Sequence, residues 1–174
     1  MSSQGPLSPG TATASVRFTN ANNIKVSDNT YSGVSFTADN QYAQFFAQNY
    51  GFSIPTGSTI DGISITIEKR ADGGTTKDSI VSLMLPDGAT SSNDNKADTS
   101  TFWVYSKMTN TYGSSSDLWG NTWTAEDIND VDFGVFMRFS SNFQYAVPGI
   151  DFVSVTVYYT AGGGSANTGF FGLM

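Results

Sequence analysis

Isoleucine and polar residues alternate along the stretch from residue 63 to residue 68. Ile63, Ile65 and Ile67 are separated by single polar residues, Ser64 and Thr66. Because successive side chains of a β-strand point to opposite faces, a period of two indicates a strand with one face in a core and the other in water. The pattern therefore predicts a half-buried strand in this stretch.

The segment before this strand predicts the other half of a hairpin. Phe52 and Ile54 precede Pro55, which cannot donate a hydrogen bond to a neighbouring strand and favours a turn. Gly57 then gives the backbone the freedom that a tight turn needs. We therefore expect strand, turn and strand over residues 51–70.

Segments with β-branched and aromatic residues recur along the chain between turns rich in Gly, Asn and Ser. The strongest is residues 149–160, GIDFVSVTVYYT, in which Val153, Val155 and Val157 share one face. The other strand predictions cover residues 13–18, 31–37, 39–54, 78–85, 101–107 and 131–139, and residues 108–116 are assigned to a loop. Roughly eight to ten strands separated by turns predict an all-β fold, an antiparallel β-sandwich that is jelly-roll-like.

One short helical turn interrupts this pattern. Thr124 is a good helix N-cap, and Asp127 follows it at the third helical position, where its carboxylate can bond back to the cap. The helical signal ends near Asn129. We expect a single helical turn near residues 124–129.

The ends of the chain differ in composition from the middle. Residues 1–12, MSSQGPLSPGTA, predict a flexible N-terminal arm. The β-sandwich domain is expected over residues 13–160. Residues 161–174 begin with AGGGS, which is typical of a flexible linker, and end in the apolar tip GFFGLM.

Composition and charge exclude several classes of function. The chain has no Cys and no His, which excludes disulfides, thiolate nucleophiles and catalytic triads that need an imidazole. The net charge is −7, so the basic footprint of a nucleic-acid-binding protein is missing. We expect no nucleic-acid partner and no membrane partner, and residues 1–10 lack the apolar segment of a signal peptide.

Clusters of oxygen-bearing side chains raise two further hypotheses, a calcium site and a glycosidase acid/base pair. The loop from Asp87 to Asp98 also holds Asp94 and Asn95, which makes Ca²⁺ possible, but no EF-hand spacing supports it and a solvated loop is expected. No other cofactor is expected. The two glutamates, Glu68 and Glu126, would be candidates for a glycosidase acid and base, but nothing in the sequence brings them together. We expect no enzymatic activity.

Aromatic residues raise a second functional hypothesis. Trp103 and Tyr112 are candidates for a platform on which a sugar ring stacks, because large aromatic faces anchor interfaces. Trp119 and Trp123 are expected to pack in the core beside the short helical turn. The candidate glycan site therefore consists of Trp103 and Tyr112.

The tip of the C-terminal tail is a candidate partner-binding segment. It contains Phe170, Phe171, Leu173 and Met174 after a glycine-rich stretch. Ordering a free tail costs about 1–2 kcal/mol per residue, and burying each large apolar side chain returns about 1.5–3 kcal/mol. Such a tail would bind well when many copies act together. Deleting residues 162–174 is expected to leave the domain folded and to weaken assembly.

The order of short motifs resembles a small β-sandwich domain that recurs in structural proteins of tailed bacteriophages. The matching pieces lie between Ser15 and Thr160, so they span most of the chain, and none is a catalytic signature. They are NANNIKVSDNTY at residues 20–31, FSIPTGSTIDGI at 52–63, YGSSSDLWGNTW at 112–123, TAEDIN at 124–129, DFGV at 132–135 and VSVTVYYT at 153–160. Phe18 stands where many relatives have a tryptophan, and the GFFGLM tail is not part of the pattern.

The resemblance implies a virion component without catalytic residues. It implies a capsid decoration or cement protein on the particle exterior, or part of a tail or fibre, made in the host cytoplasm. It also implies a homo-oligomer, commonly a trimer, and contact with the major capsid protein or another virion protein. The alternative hypothesis is a carbohydrate-binding module of a phage tail or receptor-binding protein, or of a secreted enzyme.

Overall fold

The structure, a computed structural model, describes residues 1–15, 18–72, 75–89 and 94–162. Within these residues the chain forms ten strands, one 3-10 turn and one short α-helix. The strands are β1 (Ser2–Leu7), β2 (Thr11–Ala14), β3 (Phe18–Thr19), β4 (Ser32–Val34), β5 (Gln41–Gln48), β6 (Thr59–Ala71), β7 (Thr76–Met84), β8 (Met108–Ser114), β9 (Gly134–Ser141) and β10 (Pro148–Thr160). The 3-10 turn is Ala21–Ile24 and the helix α1 is Ala125–Asn129. No helix in the described part of the chain is long and apolar enough to cross a membrane.

The strands form two antiparallel sheets that pack face to face. Sheet A has the order β3–β4–β10–β6–β8, and β1 pairs with the part of β10 that β4 leaves free. Sheet B has the order β2–β5–β9–β7. From β4 to β10, successive strands alternate between the two sheets, which is the connectivity of a jelly roll. The predicted antiparallel, jelly-roll-like β-sandwich is confirmed.

The core lies between the two sheets and is built from their alternating inward positions. From sheet A, β6 contributes Ile63, Ile65 and Ile67, which are fully buried. From sheet B, β9 contributes Val135, Met137 and Phe139, which are equally buried. Burial of each such side chain stabilises the fold by about 1.5–3 kcal/mol. The apolar residues that alternate in the sequence are therefore the ones whose burial holds the two sheets together.

The predicted helical turn is confirmed together with its cap. The Thr124 hydroxyl accepts a hydrogen bond from the Asp127 backbone N–H at 3.1 Å, and the Asp127 carboxylate accepts one from the Thr124 N–H at 2.9 Å. Ile128 and Ala125 are buried on the inner side of the helix. This reciprocal bonding is a capping box, as the spacing predicted.

The first half of the predicted hairpin is irregular rather than a strand. Phe52 and Ile54 are buried, but the side chain of Asn129 replaces a strand partner: its Oδ1 accepts from the Ile54 N–H at 2.7 Å and its Nδ2 donates to the Ile54 carbonyl at 2.9 Å. The Ser53 N–H similarly donates to the Gln4 side chain. A buried backbone needs partners, and here side chains from distant segments supply them.

The predicted strand at residues 101–107 and the predicted loop at residues 108–116 are both wrong, because the strand lies in the second segment. Residues 101–107 are not a strand, although Trp103 donates its backbone N–H to the Thr76 carbonyl at 2.8 Å along the edge of β7. Residues 108–114 are a strand, β8, which pairs with β6 from Lys69 to Ile63. Polar residues dominate β8 because it is an edge strand, so its sequence resembles that of a loop.

The N-terminal segment is also ordered, contrary to the predicted flexible arm over residues 1–12. β1 pairs with β10, with Ser2 opposite Tyr159 and Leu7 opposite Val155, and Leu7 packs against the core. β2 pairs with β5. Backbone pairing to a long central strand orders a segment whose own composition favours flexibility, so the sandwich begins at Ser2 instead of residue 13.

Candidate functional site

The predicted glycan platform, Trp103 and Tyr112, lies inside the protein around a buried aspartate. Asp78 on β7 is 1% exposed, and four donors bind its carboxylate. Lys69 Nζ and Trp103 Nε1 donate to Oδ1 at 2.6 and 2.8 Å, and the Tyr112 hydroxyl and the Asp98 backbone N–H donate to Oδ2 at 2.6 and 3.3 Å. All the oxygen lone pairs of this carboxylate therefore have protein partners.

Lys69 completes this buried cluster from the opposite sheet. Its ammonium also donates to the Tyr112 hydroxyl at 2.5 Å and lies 4.9 Å from the centroid of the Trp103 ring. Burial lowers the pKa of Lys69, and the charge of Asp78 opposes that shift. Burial, followed by the negative charge of Asp78, raises the pKa of Tyr112. Tyr112 therefore stays protonated and serves as a donor to Asp78.

The prediction that Trp103 and Tyr112 present their rings to a glycan is wrong. Their exposed fractions are 1% and 6%, and their polar atoms bind Asp78. A ring that is enclosed between two sheets has no free face on which a sugar can stack. The core positions expected for Trp119 and Trp123 are confirmed, with exposed fractions of 0% and 6%.

The carboxylates singled out by the sequence do not meet each other. Glu68 lies on the outer side of sheet A, where Ser27 and Lys107 donate to its Oε2 at 2.7 and 2.9 Å. Lys107 also contacts Asp151 at 3.2 Å. Burial opposes the ionisation of Glu68, but the hydrogen bonds from Ser27 and Lys107 outweigh it and lower the pKa of Glu68. Glu126 lies elsewhere, in the first turn of α1.

The oxygen atoms proposed for Ca²⁺ are bound by protein groups. Asp94 pairs with Lys96 at 2.6 Å, and the Asn95 side chain accepts from the Val81 backbone N–H at 2.9 Å. Asp98 accepts from the backbone and hydroxyl of Ser100. In the described part of the chain, no group of three or more acidic, His or Cys side chains is arranged to hold a metal ion.

A row of exposed and half-buried side chains crosses the outer face of sheet B near the loops that connect the strands. Tyr42 on β5 lies opposite Ser140 on β9, and Ser140 lies opposite Lys77 on β7. Phe102 lies beyond the edge of β7, with its ring centroid 5.9 Å from Lys77 Nζ. The two aromatic side chains at the ends of this row, Tyr42 and Phe102, are 58% and 44% exposed.

An open pocket of about 380 Å³ lies in this row. Its walls come from the start of β5, the end of β9, the start of β7 and the loop before β8. The lining residues are Asn40, Thr75, Lys77, Phe102, Ser140, Ser141 and Asn142. Among the described residues, the side-chain amides of Asn40 and Asn142 have no hydrogen-bond partner.

A second row of side chains lies two residues further along β5 and two residues earlier along β9, on the same face of sheet B. Gln44 on β5 is opposite Arg138 on β9, and the Gln44 Oε1 accepts from Arg138 Nη2 at 2.9 Å and from Nε at 3.2 Å. The guanidinium carbon lies 4.8 Å from the centroid of the Tyr42 ring. Below it, the rings of Phe46 and Phe136 stack at 5.0 Å. The guanidinium of Arg138 is therefore bonded to Gln44 and packs against the rings of Tyr42 and Phe136, the second at 5.7 Å.

We call these two rows the sheet B face, which consists of Asn40, Tyr42, Gln44, Lys77, Phe102, Arg138, Ser140 and Asn142. Sequence reasoning missed it because its members come from three strands and the loops beside them and become neighbours only through the register of sheet B. The one sequence signal was the outward position of Tyr42 within β5, where Ala43 and Phe45 face the core. The predicted partner-binding tip, Phe170, Phe171, Leu173 and Met174, lies outside the described residues.

Comparison with known proteins gives distant structural likenesses. No protein-family model matches the chain, and no curated protein sequence matches it. An arabinose-bound α-L-arabinofuranosidase, MgGH51, is similar over 88% of this chain and 23% of its own, at 8% identity and a TM-score of 0.47. The carbohydrate-binding module TmCBM61, in complex with β-1,4-galactotriose, is similar over 83% and 86%, at 6% identity and a TM-score of 0.44.

A phage protein is also among these structural neighbours. The enzymatically active domain of tailspike protein 4 from bacteriophage CBA120 is similar over 91% of this chain and 19% of its own, at 11% identity and a TM-score of 0.34. The chain thus spans about a quarter of the arabinofuranosidase and a fifth of the tailspike domain. At these TM-scores the likenesses do not decide between functions.

Proposed function

We propose that this chain is a non-enzymatic binding domain that holds a carbohydrate on the sheet B face. The observation that carries the proposal is the pocket between Phe102 and Ser140, with Tyr42 exposed beside it. Sugar rings offer apolar C–H faces that pack on aromatic rings, and hydroxyl groups that bond to amides and ammonium groups. The sheet B face presents both kinds of partner side by side, as small-molecule sites do.

Each part of the face has a distinct role in this proposal. Phe102 and Tyr42 provide two separate stacking surfaces, and Lys77 and Ser140 lie between them and provide hydrogen bonds. Because neighbouring strands are about 4.8 Å apart, the step from Tyr42 to Lys77 across two strand spacings is about 10 Å. A ligand that contacts both rings therefore extends over more than one sugar unit.

The test is affinity electrophoresis of the protein in gels that contain a panel of soluble polysaccharides. The wild type is expected to be retarded by at least one of them, and the double variant Tyr42→Ala/Phe102→Ala is expected to bind it at least about 30-fold more weakly, since truncating even one aromatic anchor costs about 2 kcal/mol. Phe143→Ala removes an aromatic ring that is 51% exposed and lies outside the pocket lining, so it is the matched control. Equal retardation of the double variant and the wild type would contradict the proposal.

A second candidate function is the virion component that the phage resemblance implied. One observation favours it: apolar side chains are exposed on the loops at residues 101–107 and 142–147, each of which contributes a residue to the lining of the pocket. Val104, Tyr105, Phe143, Tyr145 and Val147 are 45–71% exposed. An exposed apolar patch of this kind suits contact with another protein, such as a second copy or a shell protein.

The number of copies of this chain in purified particles tests the second candidate. Quantitative mass spectrometry against the shell protein is expected to give a copy number comparable to that of the shell subunit if the chain is a decoration or cement protein. A few copies would indicate a tail or fibre protein, and that role is compatible with the proposed binding of a carbohydrate. Absence from particles would exclude a virion role.

A further inference from the structure

Two cations on the sheet B face have no anionic partner among the described residues. Lys77 forms no hydrogen bond and no ion pair with any of them, and Arg138 bonds only to the uncharged amide of Gln44. Lys69, Lys96 and Lys107 each pair with at least one carboxylate, whereas Lys25 bonds to the Gly10 carbonyl and Arg70 packs over the Tyr31 ring. The chain carries 15 acidic and 8 basic residues, so carboxylates are abundant elsewhere.

The two cations also project from the same face of sheet B. Lys77 lies opposite Ser140, and Arg138 lies two residues before Ser140 on β9, so Lys77 and Arg138 are diagonal neighbours. The Cα atoms of diagonal neighbours are about 7–8 Å apart. The charged groups extend in different directions, since the Arg138 guanidinium packs over Tyr42 on β5 and Lys77 Nζ lies 5.9 Å from the Phe102 ring beyond β7. Each cation can therefore bind a separate anionic group of one extended ligand.

The guanidinium of Arg138 is arranged in advance for an anion. Gln44 fixes Nε and Nη2, and the Tyr42 ring packs against the group, which leaves Nη1 without a partner among the described residues. A guanidinium that is already held in place loses little conformational freedom when it binds a ligand. Its planar set of donors matches the geometry of carboxylate and related oxyanions.

Building on the proposed carbohydrate function, we infer that the carbohydrate is acidic and that its anionic groups bind Lys77 and Arg138. The shared chemistry is an oxyanion on a sugar ring, which is either the carboxylate of a uronic acid or a sulfate ester. In this arrangement Phe102 and Tyr42 contact the ring faces, and the two cations select the charged unit. The inference gives a role to two cations that have no carboxylate partner among the described residues and that lie beside the exposed rings of Phe102 and Tyr42.

The test compares charged polymers with neutral polymers of the same backbone. Polygalacturonate is compared with its carboxyl-reduced form, and dextran sulfate with dextran, in affinity electrophoresis of the wild type. At least one charged polymer is expected to bind at least tenfold more tightly than its neutral form, and its binding is expected to weaken as NaCl is raised, since salt screens exposed charges. Polygalacturonate binding identifies a uronic acid, and dextran sulfate binding identifies a sulfate ester.

Three variants separate a specific site from general attraction to charge. Lys77→Gln and Arg138→Gln are each expected to weaken binding of the charged polymer at least tenfold. Lys25→Gln is the matched control, because it removes one positive charge at a residue that bonds to the Gly10 carbonyl, away from the sheet B face. If all three variants bind as the wild type does, or all three weaken equally, the inference is overturned.

One outcome would overturn the inference while leaving the proposed function intact. That outcome is binding of a neutral polymer that is lost in Tyr42→Ala/Phe102→Ala and unchanged in Lys77→Gln and Arg138→Gln. If the wild type binds none of the charged or neutral polymers in either panel, both the inference and the proposed function fail. The two results are therefore distinguishable in the same gels.

Discussion

Replacing Asp78 by alanine is expected to lower the free energy of unfolding by about 3–5 kcal/mol, because it leaves a buried charge without its partner. Lys69 is 1% exposed, so water cannot take the place of the lost carboxylate. The substitution also removes the acceptor for Trp103 Nε1 and for the Tyr112 hydroxyl. Domains of this size are stable by about 5–15 kcal/mol, so the loss is a large fraction of the total. Urea unfolding followed by circular dichroism measures it.

Two further variants separate the charge from the packing. Asp78→Asn keeps the shape and one acceptor oxygen, and we expect an intermediate loss. The double variant Lys69→Met/Asp78→Leu removes both charges together, and we expect it to be more stable than Asp78→Ala because no unpaired charge remains in the core. An Asp78→Ala protein that unfolds within about 0.5 kcal/mol of the wild type, as an ordinary surface variant does, would contradict the arrangement described here.

Replacing Trp119 by alanine is expected to lower the free energy of unfolding by about 3–5 kcal/mol, the cost of removing a large side chain from a packed core. The Trp119 side chain is fully buried, and its Nε1 donates to the Ile63 carbonyl at 2.9 Å. Its ring packs against β8 at Gly113, where φ is +74° and a side chain would collide with the indole. Trp119 thus joins the loop after β8 to the central strands of sheet A.

The controls for Trp119 are one conservative variant and one surface variant. Trp119→Phe keeps most of the apolar surface and loses the hydrogen bond, so we expect a smaller loss than with alanine. Tyr42→Ala removes an aromatic ring that is 58% exposed, and we expect a change within about 0.5 kcal/mol. If Trp119→Ala and Tyr42→Ala unfold at the same urea concentration, the assignment of Trp119 to the core is wrong.

Strands that are buried on one face were predictable from sequence, and polar strands were not. β6 and β10 carry a clear period of two, because their inward positions are nearly all isoleucine or valine. β8, with the sequence MTNTYGS, lacks that contrast because it lies at a sheet edge. β1 contains Gly and Pro and is held by pairing with β10, which no local pattern reveals. Edge strands depend on their partners, and a single sequence does not identify those partners.

The buried cluster was only partly visible in the sequence. Lys69 follows Ile67 by two residues, so the alternation of β6 places it on the core side, and this signal was available. The inward position of Asp78 was hidden, because β7 has an irregularity between Asp78 and Ile80 that shifts the alternation. The sequence predicts Trp103 and Tyr112 as surface aromatics because nothing in it identifies their polar partner, Asp78. Without that partner, a buried polar aromatic residue and an exposed one have the same sequence signature.

The most direct test of carbohydrate binding on the sheet B face is an NMR titration of ¹⁵N-labelled protein. The ligand is an oligosaccharide of whichever polysaccharide retards the protein most. We predict that the largest amide shift changes occur at Asn40, Tyr42, Lys77, Ser140 and Asn142, with little change in β10 on the opposite sheet. Shift changes concentrated on sheet A, or none at saturating concentrations of oligosaccharide, would contradict the account.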